Sequence, residues 1–196
     1  MIVIGDVHGR YDLLMKLIDK FPKGSELYFV GDLIDRGPDS KQVVDFVKDN
    51  AHKCVKGNHE DMMVQAFGDR SSASIWMQNG GGSTLDSFSN DSDRIREEYL
   101  PWFRSLPLIG TYKDFLISHS YALRGIDTED DVLMWNRTCP PPKGDFRSVF
   151  GHTPHKEVHV YHDNHWCIDT GAFHTGILSA IDLDTLEIYN TKECEK

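Results

Sequence analysis

The 196-residue chain carries 31 acidic and 21 basic side chains, a formal charge of −10, and is 39% hydrophobic and 27% charged. That length fits one compact domain over residues 1–196, and that composition belongs with globular proteins rather than with disordered or collagen-like chains. The negative balance excludes a sequence-independent nucleic-acid binder, which needs net cation to displace counterions; an anionic substrate would need a local cationic site, which divalent metals can supply.

In chain order, short apolar runs at 2–4, 27–30 and 53–56 each end in a glycine and polar cluster, and helical spacing follows the first two. Leu14, Ile18 and Phe21 share a face of a helix near 11–21, and Val43, Phe46 and Val47 share one near 40–49, started by Pro38 with Asp39 or Ser40. A third helix over about 60–68 completes a βαβαβα plan with a parallel sheet. Residues 69–93, rich in Ser, Gly, Asn and Asp, read as mobile loops around a short helix near 73–79. A helix near 93–105 follows. Strands are expected at 115–118, 148–150, 158–161, 166–168, 177–182 and 186–190, making the C-terminal half mostly β, with hairpins forming a second sheet. Pro140 to Pro142, with Lys143 and Gly144, read as a turn-forming surface connection.

The cysteines at 54, 139, 167 and 194 form no CxxC pair and read as reduced, buried thiols. Met1 to Ile4 lead directly into Gly5 and Asp6, leaving no room for a signal peptide, and no run approaches the 18 apolar residues of a membrane span. A cytoplasmic protein with no membrane partner and no sequence-specific nucleic-acid partner is expected. Its oligomeric state is not legible.

Five clusters fall at expected strand ends: GDVHG at 5–9, GDLIDRG at 31–37, GNHED at 57–61, SHS at 118–120 and GHT at 151–153. Each alone is compatible with an ordinary strand-to-turn junction. As an ordered set, at the edge where α/β sheets bind ligands, they offer Asp6, His8, Asp32, Asn58, His119 and His152. This mixed oxygen and nitrogen set suits Mn²⁺, Fe or Zn²⁺ better than Ca²⁺. Two cations roughly 3.5–4 Å apart need one bridging carboxylate, for which Asp32 is the natural choice, and a water between such cations loses a proton near neutral pH. Glycines beside the ligands would let the backbone turn sharply and approach closely.

GDxHG, GDxxDRG and GNHE, intact here as Asp6 with His8, Asp32 with Asp35 and Arg36, and Asn58 with His59, resemble the signature blocks of the metal-dependent phosphoprotein phosphatases, within the calcineurin-like metallophosphoesterases. NGGG at 79–82, WNR at 135–137, GHTP at 151–154 and IDTGA at 168–172 resemble the bacteriophage lambda and bacterial branch. The resemblance implies an α/β (α+β) fold with two central sheets flanked by helices and a metal site at strand C-terminal ends. It implies two divalent metals, manganese first: Asp6, His8 and bridging Asp32 at one, and Asp32, Asn58, His119 and His152 at the other. It further implies His59 as general acid oriented by Asp35, with Arg36 and Arg137, joined by Asn58, on the phosphoryl oxygens of a phosphoprotein or other phosphate monoester. Related families act on diadenosine tetraphosphate, other nucleotides or RNA ends, and a scaffold without catalysis is the remaining alternative.

Other features read more plainly. His155, His159, His162 and His165 are expected as exposed hairpin residues, and His174, which departs from the lambda-type pattern, as a packing residue. Glu60 and Asp61 are expected to cap the third helix. Trp76, Trp102, Trp135 and Trp166 are expected as core or rim aromatics. The segments 69–93 and 121–147 flank the motifs and are expected to set specificity.

Overall fold

The computed structural model describes residues 1–123, 128–142 and 146–192. Lys143, Gly144 and Cys194, and parts of the 121–147 segment, lie outside the described residues.

Two five-stranded mixed sheets carry the fold. In the first, β1 (Ile2–Ile4), β2 (Leu27–Phe29) and β3 (Lys53–Cys54) run parallel. The hairpin of β9 (Ser179–Asp182) and β10 (Ile188–Asn190) adds antiparallel to β1. The second sheet orders β4 (Ile109–Tyr112), β5 (Phe115–Ser118), β6 (Arg147–Phe150), β8 (His165–Cys167) and β7 (His159–Tyr161). Its centre, β5-β6-β8, is parallel. The expectation of hairpins making up the second sheet is therefore corrected: hairpins form its margins, and the last hairpin belongs to the first sheet.

Alternation along the strands explains why the sheets stack. Val3 points to one face of β1, where it packs with Tyr28, Val30, Phe115, Ile117, Val149 and Trp166 between the sheets. Ile2 and Ile4 point to the other, under the helices, as the period of two requires. Helices α1 (Tyr11–Ile18) and α2 (Ser40–Asp49) bury Leu13, Leu14 and Leu17, and Val43, Val44 and Val47, with Ile18, Phe21 and Phe46 half-buried at the margin. Helix α3 spans Asn58–Ala66, so Asn58 and His59 lie within its first turn.

The largest departure from the sequence reading lies at 69–93. Instead of loops around one short helix near 73–79, the chain forms α4 (Arg70–Trp76), which overlaps that helix, a widened π-type turn over Met77–Gly81, and α5 (Gly82–Ser87). Asp69 starts α4 by accepting from the Ser71 and Ser72 backbone N–H groups, and burial of Trp76 docks its far end. Next come α6 (Ser92–Arg94), a second widened turn over Ile95–Tyr99, and α7 (Leu100–Ser105). Strand β4, helix α8 (Asp130–Trp135) and helix α9 (Ala172–Thr175) were not expected.

Two smaller corrections concern burial. Cys54 and Cys167 are buried but Cys139 is exposed. His165 is buried, its Nδ1 within 2.9 Å of Ser148 Oγ, because β8 lies inside the sheet and its ring packs against Tyr121 and Phe146, while His159 on the edge strand β7 stays exposed. Trp76 and Trp166 are buried, Trp102 is half-buried and Trp135 is exposed at the rim. No described helix is long and apolar enough to cross a membrane.

Candidate active site

The site forms where the C-terminal ends of the parallel strands of both sheets meet. Asp6 and His8 follow β1, Asp32 follows β2, Asn58 follows β3, His119 follows β5 and His152 follows β6; all six are buried. Cross-links between these loops are short: the His152 backbone N–H donates to Asp6 Oδ2 at 3.0 Å, and Gly151 N–H to the His119 carbonyl at 2.8 Å. Five of the twelve non-glycine residues with positive φ among the described residues are His8, Asp32, Asp35, Arg36 and His152. Left-handed backbone costs about 1–3 kcal/mol per residue and concentrates at functional sites, so this clustering marks the location independently of side-chain chemistry. A Cβ on Gly57 would collide with Asp32 Oδ1, and one on Gly151 with Asp6 Oδ1, which is why glycine stands beside these ligands.

The donor set fits cations. His8 Nδ1–H donates to the Ile34 carbonyl and His119 Nδ1–H to that of Val30, which fixes both tautomers and leaves each Nε2 lone pair facing the site. His119 Nε2 lies 2.8 Å from Asn58 Oδ1, 3.4 Å from Asp32 Oδ1 and 3.2 Å from His152 Nδ1. The other Asp32 oxygen lies 3.5 Å from His8 Nε2. Asp32 thus offers one oxygen to each of two ligand groups, as a bridging carboxylate must. Asp6 Oδ1 is buried without any hydrogen-bond partner, and buried polar atoms are rarely left so.

Electrostatics agree. Burial pushes His8 and His152 down to about 3 and lowers His119, so the imidazoles are neutral and able to ligate. Burial, then Asp169 and Asp32, raises Asp6 well above the carboxylate range. At Asp32 burial opposes ionisation, but His119, His59 and His8 outweigh it and hold the carboxyl below its usual range. Converging lone pairs and crowded carboxylates are what a bound cation reconciles.

Beside the ligands stands an acid pair. His59 Nδ1–H donates to Asp35 Oδ2 at 2.6 Å, and although burial lowers the His59 pKa, Asp32 and Asp35 together raise it. Arg36 lies across the two imidazoles, Nη1 2.8 Å from His8 Nε2 and Nη2 3.1 Å from His59 Nε2. Arg137 is exposed at the mouth of the same cleft, about 580 Å³ in volume. All ten residues singled out from the sequence therefore come together.

Five contributors were missed or misread. Glu60, expected only as a helix cap, accepts from Gly57 N–H and also from Asp32 and Leu33 N–H, so it ties the bridging loop to α3. Asp169 is buried at the cleft wall after β8, and burial raises it to about 6; the IDTGA motif was its only signal. His174 does not pack inside: it is exposed, stands over Gly171 and lines the cleft beside Phe173. Trp76 and Thr84 hydrogen-bond Asp35 from α4 and α5.

Comparison with known proteins follows the same lines. The chain is 32% identical to serine/threonine-protein phosphatase 2 of Escherichia coli K12, with 90% of this chain and 89% of that protein covered. It is 30% identical to bis(5'-nucleosyl)-tetraphosphatase PrpE of Halalkalibacterium halodurans, over 94% and 90%. Its fold superposes on a protein serine/threonine phosphatase of Saccharomyces cerevisiae with a TM-score of 0.67 at 17% identity, covering 100% of this chain and 80% of that one. The calcineurin-like phosphoesterase profile matches residues 1–176, and its members work with a dinuclear metal centre. On this match, the chain belongs to the calcineurin-like phosphoesterase family.

Proposed function

We propose that the chain, acting as a single catalytic domain over 1–196, is a metal-dependent phosphomonoesterase that serves as a serine/threonine protein phosphatase. One observation carries the reading: five of the six ligand side chains, His59 and the two arginines line one cleft, with His119 buried behind Asn58 and Asp35 buried behind His59. Asp6, His8 and Asp32 would hold one divalent cation, and Asp32, Asn58, His119 and His152 the other. Two such ions supply charge that polarises a phosphoryl group and activates water. The oxygen and nitrogen donor set supports manganese, with iron or zinc as substitutes.

This chain's own residues do the rest. Arg36 and Arg137 take the phosphoryl oxygens, a task that a planar, bidentate guanidinium suits. Arg36 can donate only to a bare His59 Nε2, so binding phosphate draws it away and leaves Nε2 free to carry a proton. His59 then gives that proton to the departing oxygen, with Nδ1–H held on Asp35. Asn58, next to His59, keeps its amide within reach of both the ligands and the phosphate.

Arg36 and Arg137 are the only lysine or arginine side chains among the described residues lining the cleft. That matches one phosphoryl group better than a chain of four. The E. coli relative supports the same reading. A second reading, a dinucleoside polyphosphate hydrolase, is kept because of the likeness to PrpE. The free thiols Cys54, Cys139 and Cys167 support a reducing compartment, the cytoplasm. The deciding experiment is a panel of phosphoserine peptide, phosphotyrosine peptide, diadenosine tetraphosphate and 5'-phosphorylated RNA with Mn²⁺. The expected result is kcat/KM higher for the phosphoserine peptide than for the dinucleotide by more than about tenfold, equivalent to about 1.4 kcal/mol. The reverse preference would overturn the assignment.

A further inference from the structure

The NGGG motif at 79–82 has no part in the chemistry above, yet it lies against the loop that carries the acid pair and the clamp. Asp35 and Arg36 are consecutive left-handed residues, φ 72° and 71°. Such a pair is unstable unless its surroundings dictate it. Arg36 N–H donates to the Gly80 carbonyl at 3.3 Å, and Asp35 N–H is shared between Thr84 Oγ1 at 2.9 Å and Ser40 Oγ at 3.1 Å. Gly80, at φ 104°, approaches closely because a Cβ there would lie 2.9 Å from Arg36 N.

The Asp35 carboxylate is itself fully enclosed, and every donor to it is identifiable. Thr84 Oγ1–H donates to Oδ1 at 2.6 Å. Trp76 Nε1–H spans both oxygens, at 3.1 Å and 2.9 Å. His59 Nδ1–H takes Oδ2. With Oδ1 occupied by the hydroxyl, only Oδ2 faces the imidazole, in one orientation. The indole is 2% exposed and fits because Gly81 has no side chain: a Cβ would lie 2.6 Å from its ring carbons. The widened turn over Met77–Gly81 links the indole on α4 to the hydroxyl on α5, and π-type turns recur at functional sites.

We propose that Trp76 and Thr84 are positioning residues for the acid step, and that the 79–82 glycine turn exists to seat them against Asp35. Their two donors fix the Asp35 carboxylate, which fixes His59 Nδ1–H, which aims Nε2–H at the departing oxygen. The inference rests on His59 being the acid. Misplacement of a reacting group by about 1 Å costs about 10²-fold in rate, so the effect is large enough to measure.

The test exploits the leaving group. Proton delivery matters for a poor leaving group such as the seryl alkoxide and little for 2,4-dinitrophenolate, whereas general structural damage slows both alike. Metal-loaded Trp76→Phe, which keeps the ring and removes the N–H, and Thr84→Val, which keeps the shape and removes the hydroxyl, are compared with Thr84→Ser and His59→Asn. We expect the first two to lower kcat on a phosphoserine peptide by about 10–100-fold, with KM within about twofold and the dinitrophenyl rate within about threefold. Thr84→Ser should recover most of the loss. Equal losses on both substrates, or none, while His59→Asn shows the leaving-group dependence, would overturn the inference alone. If His59→Asn shows no such dependence, the acid reading fails and this inference fails with it. Should Trp76→Phe not fold, the Thr84→Val and Thr84→Ser pair decides.

Discussion

The ligand side and the acid side of the cleft are held by different means. On the ligand side each residue hangs from the end of its own strand. The second nitrogens of His8 and His119 rest on the carbonyls of Ile34 and Val30, beyond the end of β2, so that His119, which follows β5, reaches across to the first sheet. On the acid side, Asp35 and Arg36 sit in a loop whose left-handed backbone is braced by Trp76 and Thr84, 41 and 49 residues further along the chain from Asp35. On one side each residue is delivered by the end of its own strand, while on the other the loop needs a brace from helices later in the chain. Loss of the first should remove the metals; loss of the second should leave the metals in place and impair proton delivery and the phosphate clamp.

Breaking the ligand side should give the largest effect. Asp32→Asn removes the carboxylate that faces both ligand groups. Its activity should fall by more than the roughly 10–100-fold that loss of an outer partner costs, with bound metal clearly below that of the wild type by elemental analysis. Full metal content in this variant would contradict the bridging role. On the acid side, His59→Asn should cut turnover by about 10²- to 10⁴-fold while the metal content stays at the wild-type level. Coincident loss of metal would erase the distinction between the two sides.

Glu60 joins the two sides, because its carboxylate accepts from Asp32, Leu33 and Gly57 N–H. Glu60→Gln leaves at least one of these donors facing an amide N–H₂, so unfolding in denaturant should show a loss of about 1–3 kcal/mol. Metal titration should show affinity weakened by about 10–100-fold. Unchanged metal affinity would confine Glu60 to helix capping.

The smallest effect lies away from the cleft, at His165. Burial, then His162, lowers its pKa, and its Nε2 has no hydrogen-bond partner. The folded state therefore binds this proton less readily than the unfolded chain. The resulting stability is fully present above the unfolded value near 6.5 and is lost as pH falls from there toward the folded value. Replacing both members of the pair, His165→Phe with Ser148→Ala, should leave stability near pH 7.5 little changed and flatten its decline between about pH 6.5 and 5. An equally steep decline in the double variant would show that other groups carry the acid sensitivity.

The same contrast explains what could be read from the sequence. Asp6, His8, Asp32, Asn58, His119 and His152 were legible because each follows a short apolar run and all but His119, which stands between two serines, abut a glycine, a pattern fixed within a few residues. Of the helices at 70–87 only a short one near 73–79 was legible, because Ser, Gly and Asn favour loops until a tertiary partner intervenes. Here Trp76 docks on Asp35 and Gly81 makes room for it. One local signal did exist: Asp69 ahead of Ser71 and Ser72 is a serviceable N-cap. β4 escaped notice because none of its residues is fully buried. Asp169 sat in a noted motif, but nothing in its spacing marked it as facing Asp6; only the folded chain does.

The central claim is a phosphoesterase whose chemistry depends on two cations held by Asp6, His8, Asp32, Asn58, His119 and His152. The most direct test is to strip the protein with a chelator and titrate Mn²⁺ back while following hydrolysis of a phosphoserine peptide. No turnover is expected in the stripped protein, with recovery that saturates at about two equivalents per chain; turnover that persists without metal would contradict a two-cation mechanism.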